Sequence, residues 1–485
     1  MSVRATAMDW PVAELLGLFV GGPAVLARLP GEMSRIAGIV TDSRRVGAGD
    51  VFVALQGERF DAHDFLPQVA AQGAAFAIVQ RALPDLALPQ LVVAETRAAL
   101  ATLARAWRAR FHLPVIAVAG SNGKTTTKEM IAAILRAAFG EHMLATVGNL
   151  NNEIGVPQTL FGLRATHRAA VVEIGMNHPG EIARLAAMVQ PTIALVNNAQ
   201  REHQEFMASV AAVAEENGAV FEYLAADGVA VFPEGTAYDT VWSRQAGAAR
   251  SLRFRLNGPD MSGRGDVTVA PIATPDVAGS GDAQSLRVAG PWGAVSIALN
   301  ALGAHNALNA AAAAACAWAA GCPAFAIAQG LNVFRPVRGR MQKLRSASGL
   351  VVIDDTYNAN PDSVLAAIDV LAQYAPACAL VLGDMGEVGV QGGPFHAEIG
   401  HYARQCGLEK LFALGVLARE SAAAFGAAAV HCDSAAELVA QVQTWLSKRS
   451  GAVLVKGSRF MKMETIVQAL LAAPGDVQTG GAHAA

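Results

Sequence analysis

Charge is scarce in this chain. Asp, Glu, Lys and Arg make up 16% of the residues, and 37 basic side chains against 40 acidic ones leave a formal net charge of −3. Without a basic excess there is no electrostatic ground for a nucleic acid or an anionic membrane surface as partner. Cysteine is scarce as well: Cys316, Cys322, Cys378, Cys406 and Cys432 form an odd set without paired metal-ligand spacing. Such a set argues against a disulfide framework and suits a reducing compartment, where thiols serve as packing groups. A long hydrophobic run is missing too. The most apolar segment, 310–320, falls far short of the ~20 residues of a spanning helix, and Asn306 and Asn309 stand just before it. A buried helix is expected there, and no membrane insertion. Arg4, Asp9 and Glu14 interrupt the N-terminal stretch, so no signal peptide is read and a cytoplasmic location is expected.

What the chain does have is 53% hydrophobic residues over 485 positions, enough for about three cores at ~150 residues per domain. Residues 1–111 alternate short apolar runs (51–55, 76–79) with Gly, Asp and Arg clusters and close on a helical pattern at 98–110. They read as a small α/β domain. A second unit, 112–337, opens with an apolar run at 114–118, a glycine loop and a helical period at 125–139 closed by Gly140. Further apolar runs at 169–174 and 192–196 predict a mostly parallel sheet covered by helices. Residues 233–297, rich in Gly, Pro, Ser and Asp, are expected to form a small β subdomain. From 338 to 472 a third α/β series places runs at 350–353, 378–382, 411–414 and 453–455 between helical intervals, as in a doubly wound domain. The small polar tail 473–485 is expected to be disordered.

The chemistry-bearing residues cluster after predicted strands. Gly120-Ser121-Asn122-Gly123-Lys124-Thr125-Thr126 follows a strand and opens a helix, so backbone amides can converge on phosphate oxygens at the positive helix end. Lys124 suits β/γ-phosphate charge and Thr125 suits Mg²⁺. The spacing departs from the usual P-loop, which has Gly where Val118 stands. A structural turn with a chance lysine is the competing reading. Glu173, Asn177 and Asn197 fall just after apolar runs, at the strand ends where open α/β sheets bind ligands.

The shortened glycine loop, with segments along nearly the whole chain, resembles the Mur ligase superfamily, which includes the folylpolyglutamate synthetases. The resemblance implies a three-domain α/β enzyme: a small N-terminal UDP-binding domain, a central P-loop-type parallel-sheet ATPase domain and a C-terminal Rossmann-like domain. It implies ATP, bound by residues 120–126, and Mg²⁺ as cofactors. By the same resemblance Glu173, in the segment 173–181, holds Mg²⁺, and His203 assists a second metal site. Asn306 and Asn309 contact adenine, Arg340 reaches the nucleotide phosphates, and Asp355 contacts the ribose. For the polar residues the plainer alternatives stay open. Glu173 would cap the following helix, His203 would be a solitary surface histidine, and Asn306 or Asn309 would cap the helix they open.

Two segments choose within the superfamily. Thr41-Asp42-Ser43-Arg44-Arg45, with the residues to Gly57, resembles the UDP-binding element of the ligases adding the third and last peptide units, and folylpolyglutamate synthetases lack it. Tyr357-Asn358-Ala359-Asn360 with Gly383-Asp384-Met385-Gly386-Glu387 and Lys456-Gly457-Ser458-Arg459 resembles the D-alanyl-D-alanine-adding type, and the Asp-Asn-Pro-Arg signature of diaminopimelate-adding ligases is absent. Asn149, Asn151 and Asn152 match that type and would line the muramoyl-peptide channel, unless they only form Asx turns. The implied partners are a UDP-muramoyl-tripeptide and D-alanyl-D-alanine, with the dipeptide sought near Asn358, Asn360 and the loop after Gly383. A monomer is expected. One departure stands out. Family members commonly carry a carbamoylated lysine where Asn217 aligns, and no lysine occurs between Lys128 and Lys343. No carbamoyl-lysine is therefore expected, and metal support is expected from Glu216 or Asn217 with waters. A sister ligase with another amine and a P-loop switch ATPase are the competing functions.

Overall fold

A computed structural model describes residues 8–19, 35–58, 60–257, 266–272, 283–346, 349–374, 377–447 and 451–472; the tail 473–485 lies outside them. Three α/β layers follow one another along the chain. The first holds a parallel sheet in the order Gly38–Val40, Asp50–Val53, Phe76–Val79, Gln90–Val92. Its closing helix, Thr96–Arg108, is capped by Glu95, whose carboxylate accepts the Arg97 N–H at 2.8 Å. The helix buries Leu100, Leu103 and Trp107 on one face, where Trp107 meets Trp10 with ring centroids 5.3 Å apart.

The central layer is one nine-stranded sheet. From one edge its order is Gly293–Leu299, Gln284–Gly290, Val267–Pro271, Arg250–Leu256, Val229–Pro233, Ile193–Val196, Val115–Ala119, Ala169–Glu173 and Met143–Ala145. Pairing is parallel from Met143–Ala145 as far as Val267–Pro271, and the last two strands run antiparallel. The inner strands are buried along their whole length because helices cover both faces. The expectation of a small separate β subdomain at 233–297 is corrected here. Those strands are hydrogen-bonded in series onto the central sheet, and helix Asp239–Ala246 lies among them.

The apolar segment forms helix Ala304–Ala319, buried as expected. Its alanines let it lie close to the sheet and to helix Lys124–Phe139. Helix Ala324–Val333 approaches the latter closely as well: a Cβ on Gly330 would stand 2.5 Å from the Ile134 Cα. No helix among the described residues is long and apolar enough to cross a membrane.

The third layer is a six-stranded sheet ordered Gln342–Arg345, Val351–Asp355, Ala452–Lys456, Cys378–Gly383, Lys410–Leu414, Ala429–Cys432, parallel except for the first strand. Helix Pro361–Ala372 begins with a reciprocal cap: Asn360 Oδ1 accepts the Ser363 N–H at 2.9 Å, and Ser363 Oγ accepts the Asn360 N–H at 3.0 Å. The five cysteines are free, four of them buried. Burial pushes the Cys322 thiol up to about 12.

Candidate active site between the central and third domains

The chain leaves strand Val115–Ala119 through helix Lys124–Phe139 to the sheet edge, returns beside it as Ala169–Glu173, then continues on its other side as Ile193–Val196. The winding reverses at that first strand, so a crevice opens beyond the strand ends. A cleft of about 870 Å³ lies there, walled by the glycine loop, segment 197–203, the start of the alanine-rich helix and, from the third domain, residues 339–341, 355–360 and 386–388. That volume suits a nucleotide-sized ligand.

Two glycines shape the loop. Gly120 has φ +126 and a Cβ there would stand 2.9 Å from the Asn197 N; Gly123 has φ +79 and a Cβ would stand 2.6 Å from Asn309 Oδ1. The first half of the loop is tied to protein acceptors. The Gly120 N–H donates to Asn217 Oδ1 at 2.8 Å, the Ser121 N–H to the Asn198 O at 3.1 Å, and the Asn122 N–H to Asn198 Oδ1 at 2.8 Å. Those three amides are spent. The first intrahelical bond is Thr127 N–H to the Gly123 O, 2.8 Å, so the helix opens with N–H groups at 124–126 lacking helical partners. A phosphate cradle therefore centres on 123–126 rather than on the whole loop. Lys124 Nζ folds back onto the Gly120 O (2.5 Å) and the Ser121 O (2.9 Å) and lies 3.5 Å from Glu202 Oε2.

Glu173, only 1% exposed, ends strand Ala169–Glu173. Its Oε1 accepts from Thr125 Oγ1 at 3.1 Å and Asn151 Nδ2 at 2.8 Å, while its Oε2 is buried with no hydrogen-bond partner. A buried carboxylate oxygen without a partner is costly unless a cation meets it. Glu173 is not a helix cap; Glu216 does that work, its carboxylate accepting the Gly180 N–H (2.8 Å) and Ile182 N–H (2.9 Å) at the start of helix Glu181–Val189. With Asn217 spent on Gly120 and on the Val213 O at 3.1 Å, neither Glu216 nor Asn217 supports a metal as expected; the backbone claims both. Among the described residues no three His, Cys, Asp or Glu side chains gather as a metal cage. The Glu173 and Thr125 oxygens still fit Mg²⁺, which takes most of its ligands from phosphates and water.

His203 is not a solitary surface residue. Its Nδ1 pairs with Glu387 Oε2 of the third domain at 2.6 Å, and its Nε2 lies 3.8 Å from Glu202 Oε2. The His203 imidazole beside it holds the Glu387 carboxyl below its ordinary range. Both residues have positive φ, +48 and +57, so strain gathers at this contact. Asn306 and Asn309 do not cap their helix, whose N-cap is Gly303. Asn309 Nδ2 donates to Asn306 Oδ1 at 3.1 Å and Asn309 Oδ1 accepts from Asn197 Nδ2 at 2.9 Å, so the pair braces the loop from below.

From the third domain, Arg340 stacks on Tyr357, 4.0 Å from the ring centroid. Asp355 accepts from Lys456 Nζ at 2.5 Å and from the Met341 N–H at 3.0 Å, and Lys456 also reaches the Asn358 O at 2.9 Å. Asn360 and Asn122 exchange side-chain hydrogen bonds of 2.9 and 3.2 Å across the domain boundary. Asn360 thus touches the glycine loop instead of standing free for a dipeptide.

Other expected residues are not gathered at the cleft. Ser43 and Arg44 form a one-turn helix in the first domain, with Arg44 Nη2 2.8 Å from Asp42 Oδ2. Asn149 is exposed outside the cleft, whereas Asn151 and Asn152 line it. Asn152 Oδ1 accepts the Gly155 N–H at 2.9 Å, so it makes the plainer Asx turn as well. The first domain meets this wall through Gln158 Nε2 to Thr41 Oγ1 (2.9 Å) and an Arg97–Glu153 ion pair. Arg201, Glu202, Asn198, Gln200 and Lys456 all line the cleft without having been singled out as site residues. Of these, Lys456 stood in a segment that carried the resemblance, and Asn198 and Gln200 follow the strand-end Asn197.

Three family models match the chain in order: the Mur ligase family catalytic domain at 35–108, the Mur ligase middle domain at 118–317, and the Mur ligase glutamate ligase domain at 339–459. Among curated relatives, the UDP-N-acetylmuramoyl-tripeptide–D-alanyl-D-alanine ligase of Escherichia coli (strain K12) is 38% identical over 91% of this chain and 95% of its own. The Haemophilus influenzae enzyme of that name is 36% identical over 92% and 96%. Among solved structures, a crystal structure of MurF from Acinetobacter baumannii superposes with a TM-score of 0.86 at 33% identity, covering 96% of this chain and 99% of that one. MurF ligase from Thermotoga maritima in complex with ADP gives 0.77 at 25% identity, covering 89% and 96%. With a loop built for phosphate, a strand-end carboxylate and relatives matched along nearly their whole length, the chain belongs to the Mur ligase family.

Proposed function

We propose that this protein joins D-alanyl-D-alanine to UDP-N-acetylmuramoyl-tripeptide with cleavage of ATP to ADP and phosphate, completing the pentapeptide precursor of peptidoglycan. The observation that carries this reading is the cleft itself: a phosphate-type helix start and a buried carboxylate on the central domain face Arg340, Tyr357 and Lys456 of the third, in a chain whose relatives carry that name over nine-tenths of its length. The working domains are 1–111 for the UDP-muramoyl substrate, 112–337 for ATP and 338–472 for closure. The protein is taken to act as a cytoplasmic monomer.

A carboxylate has no leaving group that an amine can displace. The tripeptide's terminal carboxylate oxygen therefore attacks the γ-phosphorus, the bond to ADP breaks, and an acyl phosphate forms. Lys124 and the amides at 123–126 hold the phosphate oxygens and stabilise charge as it shifts, which is largely a matter of positioning and electrostatics. Glu173 Oε2 and Thr125 Oγ1 would hold Mg²⁺, which supplies charge neutralisation at the phosphates. Asn151, bonded to Glu173, sets the muramoyl-peptide loop beside that carboxylate. The amine of D-alanyl-D-alanine then attacks the acyl carbon, the tetrahedral intermediate collapses, phosphate leaves and the amine gives up its proton. The third domain, closed over the loop through Asn360 and Asn122, keeps water from the acyl phosphate.

The experiment is an isotope transfer. Tripeptide labelled with ¹⁸O in its terminal carboxylate is turned over, and the released phosphate is weighed. One labelled oxygen in the phosphate is expected, together with a product heavier by the dipeptide. Unlabelled phosphate would rule out the acyl phosphate route.

A further inference from the structure

The closed cleft depends on what holds the third domain against the central one, and the densest contact passes through Arg201. This residue follows Gln200, whose N–H donates to Ser121 Oγ at 2.9 Å and whose Oε1 accepts from Asn122 Nδ2 at 2.6 Å. It is thus one residue away from the phosphate loop. Four of the five N–H donors of its guanidinium go to the other domain. Nε and Nη2 donate to Asp362 Oδ1 at 2.9 and 2.6 Å, while Nη1 and Nη2 donate to Glu398 at 2.7 and 3.2 Å. The Arg201 backbone N–H adds a bond to Asp362 Oδ2 at 2.7 Å, and Phe395 lies against the guanidinium at 5.2 Å. Asp362 sits in the first turn of helix Pro361–Ala372 and Glu398 within helix Gly392–Gln405, so one side chain grips two helices of the third domain.

We propose that Arg201 is a positioning residue, an ionic latch that joins docking of the C-terminal domain to the geometry of the phosphate loop. A planar fork with five donors suits this work, because it can satisfy two carboxylates at once in fixed directions. With four donors turned to protein carboxylates, the main work of Arg201 is holding the domains together. Its effect falls on the closed population. Losing the latch lowers the fraction of enzyme already closed, which weakens apparent affinity for ligands that need the closed form. Saturating ligand restores closure and therefore turnover. The pairs are partly exposed, 22% for Arg201 and Asp362 and 42% for Glu398, so salt weakens the latch.

The test uses the full chain and two readouts. Small-angle scattering of the nucleotide-free protein reads domain closure, and steady-state kinetics reads KM against kcat for ATP and D-alanyl-D-alanine. Arg201→Met, which keeps the stem but not the fork, is expected to enlarge the radius of gyration and to raise KM roughly tenfold with kcat within about twofold. Arg201→Lys should recover part of both. Adding Glu398→Gln to Arg201→Met should change neither further, as expected of partners in one contact. An unchanged radius and KM in Arg201→Met, or a fall in kcat at constant KM, overturns the latch. If Arg201→Met does not fold, Glu398→Gln alone is read by the same two measurements and the same criteria. The kinetic arm rests on the ligase reading and the scattering arm does not. A failed ligase assignment would leave wild type without turnover while the variant's radius still shifts.

Discussion

Lys124 and Glu173 do different work although both line the same cleft. Lys124 brings positive charge, held on the Gly120 and Ser121 carbonyls, and Glu173 keeps one oxygen without a protein partner inside a buried wall. Replacing Lys124 by Met should lower kcat/KM about 10²–10³-fold, the usual cost of removing one group that stabilises transition-state charge, measured as phosphate release with all substrates present. Glu173→Gln should fold normally, because the amide can still accept from Thr125, yet lose Mg²⁺-dependent nucleotide binding in calorimetry. Asn217 is a structural counterpart. Asn217→Ala strands the buried Gly120 N–H and should cost about 1–3 kcal/mol in urea unfolding. Its role had no local signal, since the contact spans 97 positions, whereas the glycine loop was legible because its residues are consecutive. The chemical types of Glu173 and His203 could be read, but which neighbours would meet them could not.

Local pattern identified most elements well, because apolar runs buried on both faces and capped helices leave short-range marks. The expected runs at 350–353 and 453–455 fall within Val351–Asp355 and Ala452–Lys456 to within a residue, and the alanine-rich segment is the buried helix it looked like. The stretch 233–297 misled because nothing local shows which sheet edge its strands join. His396 illustrates what elements add to a site. Lying fully buried in helix Gly392–Gln405, it donates from Nδ1 to the Gly392 O at 2.7 Å and accepts the Met385 N–H at Nε2, 3.0 Å away. It thereby fixes the loop that carries Glu387. Burial, the largest cause, pushes the His396 pKa below 6.5. A depressed folded pKa means its stabilisation is complete above pH 6.5 and is lost as pH falls through the lower folded value, because the unfolded chain takes up the proton first. Melting temperature should therefore drop between pH 7 and pH 5, and the drop should be smaller in His396→Gln. An identical drop in both proteins would assign the pH dependence elsewhere.

At the scale of the molecule, chemistry is divided between domains that each fold around their own sheet. Cleft residues 121–126 come from one domain and residues 355–360 from another, and no sequence pattern states that they meet; the packing of the two domains sets Asn122 against Asn360 and His203 against Glu387. The resemblance implied that Arg340 and Asp355 reach the nucleotide, but not that Asn360 meets Asn122 or that His203 meets Glu387. The central claim is that this closed cleft spends ATP to join a dipeptide to a UDP-linked tripeptide. Phosphate release by the purified protein tests it most directly, with Mg-ATP and UDP-muramoyl-tripeptide present and D-alanyl-D-alanine compared with single amino acids as the added amine. Strong stimulation by the dipeptide alone is the predicted result. Equal or greater stimulation by a single amino acid, or phosphate release indifferent to the UDP substrate, would contradict it.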